Sequence, residues 1–255
     1  MTERRIDAPR QAHRAGPPRL LVEEVGLVLA LSLLPSAVNA IITLFEAPVA
    51  NTVVVALYPS VELARQIADI VFTVAPVWLV FYLARRSGEG LEPFGLGTAR
   101  LRQDAVLGLV PAVIVSALGL GLYVAAIRRN VNRFVVPVPP LGHWWTIPVL
   151  LLGSFQNGLL EEVIVVGYLI RRLEQLRIPG VAAVAASALL RGSYHLYQGW
   201  GSFAGNVALG VFFGWIFLRW RRTWPLVTAH FLIDSAAGLA YIAFRGHCVW
   251  GVCVR

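Results

Sequence analysis

The fold class that this sequence predicts is an all-α polytopic membrane protein, a bundle of about seven transmembrane helices (eight at most) with a polar cavity in its C-terminal half. Three observations carry that expectation. The 255 residues are 57% hydrophobic and 14% charged, with mean hydropathy +0.68, whereas a soluble domain has about 45–50% apolar and about 25% charged residues. Apolar stretches near the roughly 20 residues needed to cross a bilayer recur along the whole chain. Arginines gather in short clusters between those stretches, as loops facing anionic headgroups require.

Taken in order, residues 1–19 are polar, rich in arginine and interrupted by proline and glycine, and are expected to be a disordered cytoplasmic tail. Apolar runs follow at about 20–45, 66–84, 104–127, 146–170, 180–198, 203–219 and 224–244. The run at 49–58 is too short to span and reads as an interfacial segment. These runs divide the chain into the tail, N-terminal transmembrane helices over 20–145, a helical core over 146–244 and a C-terminal tail over 245–255. No internal repeat and no soluble domain stands out.

Net charge is +8, and all 22 basic residues are arginine. The clusters in the N-terminal tail, at Arg85–Arg86 and Arg100–Arg102, at Arg171, Arg172 and Arg177, and at Arg219, Arg221 and Arg222 fall on one side if the N-terminus is cytoplasmic. Arg128, Arg129 and Arg133 dissent. Lysine-free, alanine- and valine-rich composition suggests a bacterial chain, and hence the bacterial cytoplasmic membrane. No basic motif interleaved with aromatics argues for nucleic acid, so the expected partners are membrane lipids and a membrane-associated peptide or protein. Cys248 and Cys253 are compatible with a disulfide on an oxidising side or with two free thiols.

Ionisable groups within spans are costly and mark function by default. Glu23 and Glu24 lie near a helix entrance, in reach of headgroups or water. Asp69 lies four residues after Arg65, the spacing of an intrahelical pair. The C-terminal half differs, because three apolar runs each place polar groups in hydrocarbon. The fourth holds Asn157, Glu161 and Glu162; the fifth holds Arg191 and His195; the last holds His230 and Asp234. Residues four apart share a helix face, so Asn157 aligns with Glu161, Arg191 with His195, and His230 with Asp234. Adjacent Glu161 and Glu162 point about 100° apart, which predicts that they cannot share one spot and must differ in role. For His195 alone, an interhelical hydrogen-bond partner is as good a reading as a functional one; the set as a whole predicts a site. His13, His143 and His247 read as solvated, and Asn206 as an interhelical contact. The glycines of the 88–97 loop lack a phosphate-binding lysine.

Cleaving a peptide inside a membrane needs an activated water, an oxyanion donor and a proton for the departing amine. Glu161 suits the base, His195 a partner for the water, and His230 with Asp234 the oxyanion or leaving nitrogen. Glu162 and Arg191 would support Glu161 from behind. The expected cofactor is none. Zn2+ held by Glu161, His195 and His230 is the alternative, although no HExxH stands on one helix. A serine mechanism at Ser154 or Ser193 lacks a nucleophile elbow. A proton-coupled transporter also uses buried Glu, His and Asp, but would carry repeats or broken helices.

The order Glu161-Glu162, then His195, then His230-x-x-x-Asp234 resembles the CAAX protease and bacteriocin-processing (CPBP, or Abi) family, whose eukaryotic member is the type II CAAX prenyl endopeptidase. The likeness covers about residues 146–244. It implies a helical membrane bundle with a cavity open to the cytosol, Glu161 activating water with His195 assisting, His230 and Asp234 as the oxyanion site, and Glu162 as a structural group. It also implies an endopeptidase acting on a membrane-associated or lipid-modified peptide, with a non-catalytic scaffold or immunity-type binder as the other outcome. Two positions depart from the family motifs: the arginine of Glu-Glu-x-x-x-Arg is Val166, and the phenylalanine of Phe-x-x-x-His is Arg191. The expectation is that these compensate, with Arg191 supplying the cation that position 166 lacks, because a buried carboxylate pair needs a cation and an intramembrane arginine needs an anion.

Overall fold

The computed structural model describes residues 18–44, 58–129, 131–132, 138–249 and 252–253. Most of the expected tail, 1–17, and nearly all of the 49–58 run lie outside the described residues; Pro18 and Arg19 already belong to the first helix.

The chain is helical, as its hydropathy requires. The expected first span is two helices, α1 (Pro18–Ala30) and α2 (Leu34–Thr43), bent by 54° at the break. Pro35 sits in the first turn of α2 and has no N–H to offer the carbonyl of Leu31, which severs the helical ladder there. Next come α3 (Pro59–Arg86), opened by Pro59, and α4 (Leu101–Arg128). α5 (Thr146–Glu161) runs into seven residues of π-helix (Glu162–Tyr168) and on into α6 (Leu169–Gln175). α7 (Gly180–Ser193), α8 (Trp200–Trp220) and α9 (Trp224–Phe244) complete the bundle. A two-stranded ribbon, β1 (Cys248–Val249) against β2 (Val252–Cys253), sets Cys248 opposite Cys253, and Cys248 is disulfide-bonded.

Among the described residues, five helices are long and apolar enough to cross a bilayer, or six if α1 and α2 form one broken span. The sequence predicted about seven. The difference lies in the expected span 180–198: α7 has 14 residues, about 21 Å at 1.5 Å per residue, against a hydrocarbon core of about 30 Å. It stops at Ser193, and a 3-10 turn (Leu196–Gln198) leads to Gly199 at φ +112.

The α5–π–α6 rod is the centre of the molecule. Its apolar stretch is 61% buried, against 17–33% for the other four spanning helices. α3 and α9 pack on α5, α4 on α9, and α8 on α7. Contact between α7 and α8 runs through small residues, as packing in lipid favours: Gly210 and Gly214 meet Ala188 and Val184 so closely that a Cβ would fall 2.7–2.8 Å from them.

The loops carrying arginine meet at one end. Thr223 donates its N–H to the Gly95 carbonyl (2.8 Å) and its hydroxyl to the Phe94 carbonyl (2.7 Å). Arg222 pairs with Asp104, and Arg221 binds both Glu174 oxygens at 2.5 and 2.8 Å. The 85–102, 171–177 and 219–222 clusters thus share one face of the bundle.

Arg172 corrects the reading of its cluster as loop. It is fully buried and bonds Glu24 at 2.9 Å, Glu89, and Gln175 at 2.7 Å, while Tyr168 donates to Glu24 at 2.9 Å. Glu24 therefore faces an internal cation, not headgroups. Asp69 also departs from expectation: Arg65 turns to Glu62 at 2.7 Å, one residue closer in sequence, and no ion pair of Asp69 forms among the described residues.

Candidate active site

Three elements supply the cluster: the α5–π junction, the end of α7 and the second turn of α9. They approach closely because α5 has Gly158 where a Cβ would lie 3.1 Å from the Val227 carbonyl and 3.3 Å from the His230 Cβ. The widened π turn begins at Glu162, a winding that recurs at functional sites.

Arg191, buried to 1% exposure, is the hub. One of its nitrogens, Nη2, lies 2.8 Å from Glu162 Oε1 and 3.2 Å from Glu161 Oε2. The two carboxylates therefore do share a spot, contrary to the angular argument from an α-helix. Glutamate side chains are long enough to converge on a guanidinium inserted between them, and the π turn changes the angular register from Glu162 onward. Arg191 also stacks over Phe213 at 5.5 Å. Val166 is fully buried in the apolar cluster that includes Phe213, so the departing positions of the two motifs lie on the same packed surface.

The adjacent glutamates differ in accessibility. The Glu162 side chain has 0% exposure, while Glu161 has 12%. Glu162 Oε1 also contacts His230 Nδ1 at 2.8 Å. Glu161 Oε2 accepts from the Tyr194 hydroxyl at 2.8 Å as well as facing Arg191. That leaves Oε1 of Glu161, which makes no bond among the described residues.

His230 lies between two carboxylates. Its Nδ1 faces Glu162, and its Nε2 lies 3.5 Å from Asp234 Oδ2. Asp234 accepts only, so Nε2 carries a proton toward it, whereas Nδ1 meets both an acceptor, Glu162, and a donor, Arg191 Nη2 at 3.1 Å. Asn157 hydrogen-bonds Asp234, whose side chain is 33% exposed. Asn157 and Glu161 keep the i,i+4 relation within α5, and Asn157 also interacts across helices with Asp234.

His195 is placed differently from expectation. It lies past the end of α7, in the turn, and does not share a helix face with Arg191. Its Nδ1 bonds the Arg191 carbonyl at 2.9 Å. A carbonyl can only accept, so Nδ1 carries the proton and Nε2 is the lone-pair nitrogen.

Tyr194 was not singled out from the sequence. Its only signal is its place beside His195, whose ring it meets at 4.8 Å. Ser193 donates back to the Leu190 carbonyl at 2.7 Å, His143 stacks on Trp145, and Asn206 bonds the Ser202 carbonyl of its own helix.

No group of three or more His, Cys, Asp or Glu side chains converges on a metal position among the described residues. The cationic position between Glu161, Glu162 and His230 is taken by Arg191, which lies 3.1 Å from His230 Nδ1.

Fold and cluster together define a helical membrane protein with an ionic centre built on its most buried rod. Residues 143–236 match the family model described as type II CAAX prenyl endopeptidase Rce1-like. That segment runs from just before α5 into α9 and contains every member of the cluster; it supports the CPBP, or CAAX protease, family for this chain. No curated protein and no solved structure gives a significant match.

Proposed function

We propose that this chain is an intramembrane endopeptidase that hydrolyses a peptide bond in a membrane-associated, lipid-modified peptide by means of a water activated by Glu161. The Rce1-like segment supports a CAAX-type protease at family level. The observation that carries the finer reading is the division of labour between adjacent glutamates: Glu162 is sealed into a clamp with Arg191 and His230, while Glu161 keeps one oxygen unbonded at the accessible edge.

In this reading water binds between Glu161 Oε1 and His195 Nε2. Glu161 takes a proton as the water oxygen attacks the carbonyl carbon. The negative oxygen that forms is met by the Nε2 proton of His230, which Asp234 holds only loosely at 3.5 Å. Collapse of the tetrahedral intermediate breaks the C–N bond, and the proton on Glu161 passes to the departing amine. Glu162 fixes the His230 ring and neutralises Arg191. A general base contributes about 10²–10⁴-fold, and loss of one oxyanion donor costs about 10²–10³-fold.

A non-catalytic scaffold is the second reading. It is favoured by Arg191 lying 3.2 Å from Glu161, where the guanidinium competes with water for the carboxylate. Purified protein in nanodiscs, supplied with prenylated and unprenylated peptides, separates the two. Cleavage lost in Glu161→Gln and His195→Ala is the expected result; no turnover by wild type on either peptide class selects the scaffold. Activity that survives a chelator supports the metal-free route, and inhibition together with stoichiometric metal overturns it.

A further inference from the structure

Asp69 is the anomaly of the N-terminal helices. It lies ten residues into α3, about 15 Å along the helix, within a spanning segment only 22% of which is buried. It is exposed, and its neighbour Arg65 bonds Glu62 directly and attracts Asp69 only at longer range. A carboxylate held against hydrocarbon is retained where it has a cation to meet.

Asp69 lines a groove of about 330 Å³ together with Ser32, Ser36, Thr73, Pro76 and Leu160. The hydroxyls come from the α1–α2 break and from one turn beyond Asp69 on the same face of α3. Pro76 has no N–H, so the carbonyl of Phe72 loses its helical donor at the groove wall. Acceptors therefore gather on a surface open to lipid. Ser32 lies in the break between α1 and α2 and Ser36 in the first turn of α2, small residues that leave the groove open between the bend and α3. Leu160, at the groove's inner wall, precedes Glu161.

We propose that this groove docks a transmembrane helix of another membrane protein, one that carries a Lys or Arg at mid-membrane, with the cation seated on Asp69. Charge complementarity selects the occupant: an acyl chain has no use for a carboxylate, and a neutral helix leaves it unpaired. The proposal does not rest on the hydrolytic reading.

The test uses the full chain in phosphatidylcholine vesicles and synthetic Leu/Ala-rich spanning peptides that differ only at one central residue: lysine, norleucine or glutamate. Energy transfer between labelled protein and peptide reads association. The lysine peptide is expected to associate at least ten-fold more strongly than the norleucine peptide, with the preference lost in Asp69→Asn and transferred to the glutamate peptide in Asp69→Lys. A cysteine peptide should cross-link to Ser36→Cys in preference to Val113→Cys on lipid-facing α4. The same results are expected in Glu161→Gln, which keeps the outcome separate from catalysis. Equal association of lysine and norleucine peptides, a preference that survives Asp69→Asn, or self-association of the chain that the lysine peptide does not displace overturns the proposal.

Discussion

Glu161 and Glu162 are neighbours in sequence with opposite surroundings, and substitution should separate them. Glu161→Gln is expected to leave thermal unfolding in detergent nearly unchanged and to lower peptide cleavage by about 10²–10⁴-fold, the scale of a lost general base. Glu162→Gln removes the anion from a fully buried pair, for which removal of one partner costs about 3–5 kcal/mol, so its melting temperature should fall clearly. Equal losses of stability in the two variants would contradict the assignment. The sequence made the pair conspicuous and predicted unequal roles, but the direction of the inequality follows from where Arg191, Tyr194 and His230 lie. Tyr194 was invisible beforehand because a tyrosine in an apolar helix has no distinguishing spacing; only the fold turns its hydroxyl to Glu161.

At the scale of elements, the end of α7 is decisive. α7 ends at Ser193, so Arg191 belongs to its last turn and His195 to the turn that follows. Where the chain has valine at the motif-arginine position, Arg191 of α7 reaches the rod and bonds both carboxylates, as the compensation reading requires. Arg191→Ala should therefore destabilise the protein and abolish cleavage. The Val166→Arg, Arg191→Ala double variant is expected to recover part of both, because position 166 belongs to the apolar cluster around Phe213, the ring over which the Arg191 guanidinium lies. A double variant no better than the single one in unfolding and cleavage would show that the two positions do not exchange their cation. The α7–α8 contact emerges only from the structure, where glycines meet Ala188 and Val184, and the break at Leu31–Leu33 was hidden within a continuous apolar run.

For the whole molecule, the Arg172 hub ties α1 and the α3–α4 loop to the central rod. Burial pushes the Glu89 carboxyl up, but the Arg172 guanidinium and the Gln175 amide outweigh it and hold Glu89 below the usual carboxylate range. A depressed carboxylate contributes stability that is present above its unfolded value, about 4.3, and is lost as pH falls through the lower folded value. Wild-type melting temperature should thus drop more steeply below about pH 4.3 than that of Glu89→Gln, and parallel profiles would refute the role. The arginine clusters that meet at one face make a cytoplasmic N-terminus the expected orientation, which puts Cys248, after α9, on the opposite side. After mild reduction, an impermeant maleimide should label Cys248 in intact cells or right-side-out vesicles, and labelling only after permeabilisation would reverse the topology.

The sequence by itself determined the all-α membrane class and set out the polar residues of the C-terminal half in the order of three motifs. Hydropathy and charge act through local composition, and they survive without knowledge of neighbours. Tertiary structure decided which groups meet: the convergence of Glu161, Glu162 and His230 on Arg191, the burial of Arg172, the shortness of α7 and the direct bond of Arg65 to Glu62 in place of Asp69. Each depends on side chains from helices distant in sequence competing for the same partner, and in lipid that competition is resolved only when the helices pack.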